Sequence, residues 1–126
     1  EHNQIIEFPW GTLQTTVLPH GQFEVMGLVF CEAETGKRFT YYTDCKQVGE
    51  EQKNLARGSD VVVLDGLRPT QHPTHMSIPE AVEVAKSINA PQTYFIHMTH
   101  HVDHDEVDRE LPERINLAHD GLCVRI

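Results

Sequence analysis

Hydrophobic and polar positions follow two different rhythms along this chain. Residues 14–18 and 22–31 are rich in β-branched and aromatic side chains, and Glu34-Thr35-Gly36-Lys37 reads as a turn into a third extended run at 38–43. This part predicts a β-meander. Further on, residues 50–57 predict a short helix stopped by Gly58, and residues 60–64 a buried strand. The clearest helix is 77–89: Ser77 and Glu80 form a capping box, Pro79 fits the first turn, and Ile78, Ala81, Val82, Ala85 and Ile88 share one face. A strand at 92–96, a short helix at 103–111 and a strand at 114–117 follow, and His119-Asp120-Gly121 makes a turn before the terminal 122–126. Strands that meander and then alternate with helices predict an α/β fold, with a mixed β-sheet and helices on one face. The other face of such a sheet needs a covering of its own.

With 126 residues and no repeat or linker, residues 1–126 read as a single unit. Nineteen acidic residues against ten basic ones give a net charge of −9, which repels polyanions and makes nucleic acid an unlikely partner. The polar start, Glu1-His2-Asn3-Gln4, is unlike a signal peptide, and no apolar run is long enough for a membrane span, so a cytoplasmic protein is expected. Cys31, Cys45 and Cys123 are odd in number and lack CxxC spacing, which points to reduced thiols rather than disulfides or a cysteine zinc site.

The candidate chemistry lies in histidines. Four of them, His97, His100, His101 and His104, crowd the segment directly behind the strand at 92–96, and imidazole is the commonest protein ligand for metals. His20 and Asp44 likewise follow extended runs, and side chains leaving neighbouring strand ends can converge on one point. Between the buried strand at 60–64 and the capped helix, the loop carries Arg68, His72 and His75. A helix N-terminus there offers N–H groups to an anion, so Arg68 and His72 are candidate substrate-binding residues. His101, His104 and His119 read as solvent-facing.

Taken together, Leu18-Pro19-His20-Gly21, Tyr42-Thr43-Asp44, Val63-Leu64-Asp65, His75-Met76-Ser77, Ile96-His97-Met98-Thr99-His100, Leu111-Pro112 and Asp120-Gly121-Leu122 form an ordered set. In that order and at those intervals, the chain resembles the C-terminal half of a metallo-β-lactamase-fold hydrolase, closest to the phosphoribosyl 1,2-cyclic phosphate phosphodiesterases. The resemblance implies half of a four-layer αββα sandwich. It implies that His20 completes a first metal site, Asp44 bridges two divalent ions, zinc or manganese, and His97 completes the second. It further implies that His75 lies beside the substrate phosphate, orienting it or protonating the leaving oxygen, with His100 near the same pocket. The reaction implied is hydrolysis of a small, cyclic phosphodiester by a metal-bound hydroxide.

One departure is large. Such enzymes draw most of their ligands from an N-terminal HxHxDH segment, and this chain contains none. His20, Asp44 and His97 alone suffice for one weakly held ion with open positions. The isolated chain is therefore expected to be inactive and to pair through its bare sheet face, either with the missing N-terminal half or with itself. Two other readings stand beside the phosphodiesterase: a non-enzymatic metal-binding module built on the 97–104 histidines, and a nuclease of the same fold.

Overall fold

The meander and the alternating part meet in one sheet. The computed structural model of the chain describes residues 3–126, so Glu1 and His2 of the polar start lie outside the described residues. Seven strands pair in sequence order: β1 (Ile5–Phe8), β2 (Gly11–His20), β3 (Phe23–Glu32), β4 (Arg38–Tyr42), β5 (Val61–Asp65), β6 (Gln92–Ile96) and β7 (Ile115–Leu117). The pairs from β1 to β4 are antiparallel, and those from β4 to β7 are parallel. Each parallel step needs a crossover, supplied by α1 (Glu50–Ala56), α2 (Ile78–Ile88) and α3 (His104–Glu110).

This direction of travel sets the site. Because β2 and β4 both run antiparallel to β3, and β4, β5 and β6 run parallel, the C-terminal ends of these four strands open on the same edge. His20, Asp65 and Ile96 close three of them, and Tyr42 closes the fourth.

One sheet face carries the helices. Leu18, Tyr42, Val62, Leu64 and Phe95 pack there against Ala56, Ile78, Ala81, Ala85 and Ile88, and the α2 residues among these are those that the apolar stripe singles out, except Val82, which is only partly buried. Gly27 is required in this layer, since a Cβ would come within 2.7 Å of the buried Tyr42 ring. The capping box forms as expected, with Ser77 as N-cap and Glu80 bonded back to it. α2 ends at Asn89 in a left-handed conformation, φ 58°, which satisfies a C-terminal carbonyl.

The opposite face is built from aromatic residues in ring contact: Phe8 on Trp10, Trp10 on Phe30, Phe30 on Phe39 and Phe39 on Tyr41. Phe8, Trp10 and Met26 remain 40%, 46% and 64% exposed, apolar surface of the kind that marks an interface. The terminal segment partly shields it. Leu122, Val124 and Ile126 lie along Phe39, Val61, Val63 and Tyr94 around an open cavity of about 400 Å³.

Three differences from the sequence expectation bear on the fold. β1 is an additional edge strand, and β2 begins at Gly11 rather than residue 14. The turn between them needs glycine: Gly11 adopts φ 153°, and a Cβ there would collide with the Cys31 carbonyl oxygen. Asp60 falls just outside β5, where its carboxylate accepts from the Arg38 amide and pairs with Lys37.

Candidate metal centre

Asp44 and His97 sit just past β4 and β6, and both adopt left-handed backbone, φ 57° and 67°. Non-glycine residues rarely do so, and at a strand end this conformation turns the chain sharply. Here it brings the two side chains face to face: Asp44 Oδ1 lies 3.2 Å from His97 Nδ1. A donor atom of His75 joins them, all three within 4.8 Å of one another. The His75 ring centroid lies 4.7 Å from that of His97 and 4.8 Å from that of His20, so His20 reaches the same cluster from the end of β2.

Two polar atoms here are buried without a hydrogen-bond partner: His20 Nδ1 and Asp44 Oδ1, whose approach to His97 lacks hydrogen-bond geometry. A buried polar atom left unpaired costs about 1–3 kcal/mol, a cost that a ligand can remove. Imidazole nitrogens and a carboxylate oxygen are a donor set suited to zinc or manganese, and the residues present fit such an ion. From the sequence, His75 is expected to serve the substrate alone. The structure places it within ligand reach as well.

A fully buried carboxylate organises the cluster from behind. Asp65 accepts the Asp44 amide on Oδ1 at 2.8 Å and the Cys45 amide on Oδ2 at 2.7 Å, and His75 Nδ1 lies 3.2 Å from Oδ2. One side chain thus fixes the backbone of Asp44 and the ring of His75. Nothing in the sequence gives Asp65 this role, although it closes the apolar run Val61-Val62-Val63-Leu64 and ends the piece Val63-Leu64-Asp65 of the ordered set. The neighbouring residues tie in the remaining loops. Lys46 N donates to the Pro19 carbonyl beside His20, and Met76 N donates to the Cys45 carbonyl. The Cys45 thiol is buried, and burial pushes its pKa well above the ordinary value, so it is held as the neutral thiol.

Lys46 Nζ contacts both Glu80 oxygens at 2.9 and 3.0 Å and the His75 carbonyl at 3.4 Å. Burial pushes the Glu80 carboxyl up, but the bonds from Lys46 and from the Ser77 hydroxyl and amide outweigh it, and its pKa falls below the ordinary value. A lowered carboxyl pKa gives stability that is complete above the unfolded-state value and is lost as pH falls through the folded-state value. Urea unfolding is therefore expected to show Glu80→Gln less stable than the parent at neutral pH, with the gap narrowing as pH falls below the ordinary glutamate range. A gap that stays constant with pH would contradict this.

The other expected site residues are placed unevenly. His72 lies beside His75, with ring centroids 5.2 Å apart, and desolvation followed by the positive charge of Arg68 lowers its pKa. Arg68 itself is turned onto its own loop, donating to the Thr70 and Gln71 carbonyls at 3.3 and 2.7 Å. The idea that the α2 N-terminus holds an anion is not supported by its amides. The Ser77 amide is taken by Glu80, the Ile78 amide by the Arg68 carbonyl, and the Glu80 amide by the Ser77 hydroxyl, while Pro79 has none. His100 is exposed and its ring lies tilted against that of His101, 3.8 Å between centroids, and among the described residues no contact joins it to the cluster. His119 is solvent-facing as expected, but His104 is only partly exposed, because its Nε2 bonds the Ala118 carbonyl at 3.2 Å.

Comparison with known proteins identifies relatives that share this fold. Residues 4–98 match the beta-lactamase superfamily domain. A diphosphatase from the PhnP family is 34% identical, with a TM-score of 0.87 over 97% of this chain and 46% of its own. The metallo-beta-lactamase fold protein YhfI from Bacillus subtilis, 17% identical, gives a TM-score of 0.80 over 97% of this chain and 52% of its own, a likeness of fold alone. An octanoyltransferase from Porphyromonas gingivalis is 28% identical over 122 residues, 92% of this chain but 24% of that protein. The chain thus spans about half the length of its structural relatives and a quarter of the curated one. With its mixed sheet, its one-sided helices and a donor cluster at the strand ends, the chain belongs to the beta-lactamase superfamily and has the metallo-β-lactamase fold.

Proposed function

We propose that this chain supplies part of the active site of a metal-dependent phosphodiesterase acting on a small phosphodiester. The observation that carries the reading is the convergence of Asp44, His75 and His97 within 4.8 Å at the strand ends, with His20 against His75. Zinc or manganese bound there would supply Lewis acidity toward a phosphoryl oxygen and would acidify water. Asp44 and His97 would hold the ion from two loops, and His20, whose buried Nδ1 is unpaired, would contribute from a third. His75 is held by the Asp65 carboxylate through Nδ1, so its Nε2 is the nitrogen available to the phosphate. With the ring oriented by Asp65, a proton carried on that Nε2 can pass to the departing oxygen, the role of a general acid.

The 34% identity to a diphosphatase supports phosphoryl chemistry, and the net charge of −9 favours a small substrate over a nucleic-acid backbone. The aromatic sheet face, with Trp10 and Met26 exposed, is the surface on which the rest of the domain packs in this reading. In the whole protein, Asp44→Asn and His97→Ala are each expected to abolish hydrolysis of an aryl or cyclic phosphodiester, while the 126-residue chain alone turns over neither. Unchanged hydrolysis in either variant would overturn the proposal.

A further inference from the structure

Lys46 stands where the loops of His20 and His75 meet. Its amide donates to the Pro19 carbonyl at 2.8 Å, next to His20, and the carbonyl of its neighbour Cys45 accepts the Met76 amide at 3.0 Å, next to His75. The Lys46 side chain then reaches His75 itself, whose carbonyl lies 3.4 Å from Nζ. His75 is thereby fixed at both ends, its ring by Asp65 and its backbone by Lys46. The ammonium is not free to turn away, because both Glu80 oxygens hold it, at 2.9 and 3.0 Å. Glu80 is anchored in turn: its Oε2 accepts from the Ser77 amide at 2.7 Å and from the Ser77 hydroxyl at 2.9 Å. An exposed lysine–carboxylate pair is ordinarily worth less than about 1 kcal/mol and holds nothing in place. This pair is half-buried, tied to a helix cap and joined to the backbone of a donor residue.

We infer that Lys46 is a positioning residue of the metal centre: anchored by Glu80 in the α2 cap, it sets the spacing of His20 and His75, whose ring centroids lie 4.8 Å apart. This rests on the reading of the strand ends as a metal centre, and it adds a residue that acts only through its neighbours. The capping box then has two uses, starting α2 and fixing the backbone of one donor.

Cobalt(II) in place of zinc tests this, because its visible absorption follows the number and arrangement of its ligands. In the chain loaded with cobalt alone, Lys46→Met is expected to change that absorption and to bind cobalt about tenfold more weakly, the low end of the penalty for disturbing a residue behind a metal ligand. Lys46→Arg, whose guanidinium can still bridge Glu80 and a carbonyl, is expected to recover most of the parent spectrum. Glu80→Gln leaves Lys46 in place but loosens its anchor, so the spectrum should move in the same direction and by less. A lysine that supports stability alone would lower the urea midpoint of Lys46→Met and leave the spectrum of the folded, loaded chain unmoved. A parent-like cobalt spectrum and affinity in Lys46→Met, or in Glu80→Gln where Lys46→Met does not fold, would overturn this assignment alone. A parent chain that takes up no cobalt would overturn the metal centre beneath it.

Discussion

Asp65→Ala is expected to lower the stability of the chain by about 2–5 kcal/mol, because it strips acceptors from two backbone amides in and beside the core. The Asp44 and Cys45 amides donate to the Asp65 carboxylate at 2.8 and 2.7 Å, and Asp65 is fully buried, so water cannot replace what is lost. The same change frees the His75 ring, whose Nδ1 lies 3.2 Å from Oδ2. Asp65→Asn separates these effects. It keeps the shape and one acceptor oxygen but loses the charge, so it should cost less stability while still weakening zinc binding about 10- to 100-fold, the usual penalty for disturbing a residue behind a metal ligand. Urea unfolding and calorimetric zinc titration measure the two quantities. A stable Asp65→Ala with unaltered zinc affinity would show that Asp65 supports neither the fold nor the site.

His97→Gly should have the opposite signature. His97 adopts φ 67°, a conformation costing a side-chain-bearing residue about 1–2 kcal/mol and glycine nothing in sterics, an advantage offset by glycine's larger chain entropy. The metal-free variant is therefore expected to keep its stability within about 1 kcal/mol, while zinc affinity falls by more than the roughly 100-fold ceiling for outer residues. Asp65 would thus couple folding to binding, whereas His97 would serve binding at the expense of backbone strain. Equal losses of stability in the two variants would show that His97 is structural. Zinc binding that survives His97→Gly would show that the donor cluster is not where the ion is held.

The sequence is most readable where periodicity is long. The α2 stripe and its capping box are local signals, and the structure realises both, with Ser77 and Glu80 bonded to each other. His20, Asp44 and His97 stand out as polar residues directly after extended runs, and a sheet that opens four strand ends on one edge brings them together. The role of Asp65 escapes notice for a physical reason: its partners are mainly backbone amides about twenty positions away, which leave no trace in side-chain pattern. The edge strand β1 is missed because all four residues of Ile5-Ile6-Glu7-Phe8 are exposed, so no buried face imposes alternation. The amides at the start of α2 that would meet an anion are engaged within the chain, for a reason already written in the sequence. The Ser77–Glu80 box that marks the helix start also uses up the amides that an anion would need.

If the loops following β2, β4 and β6 hold a divalent cation between them, crystals of the chain soaked in zinc and measured at the zinc absorption edge will locate it. One anomalous peak is expected, in contact with Asp44 and His97 and within reach of His75 or His20. A peak instead on the exposed pair His100 and His101, or at His104 and His119, with none beside Asp44, would refute a metal centre at the strand ends.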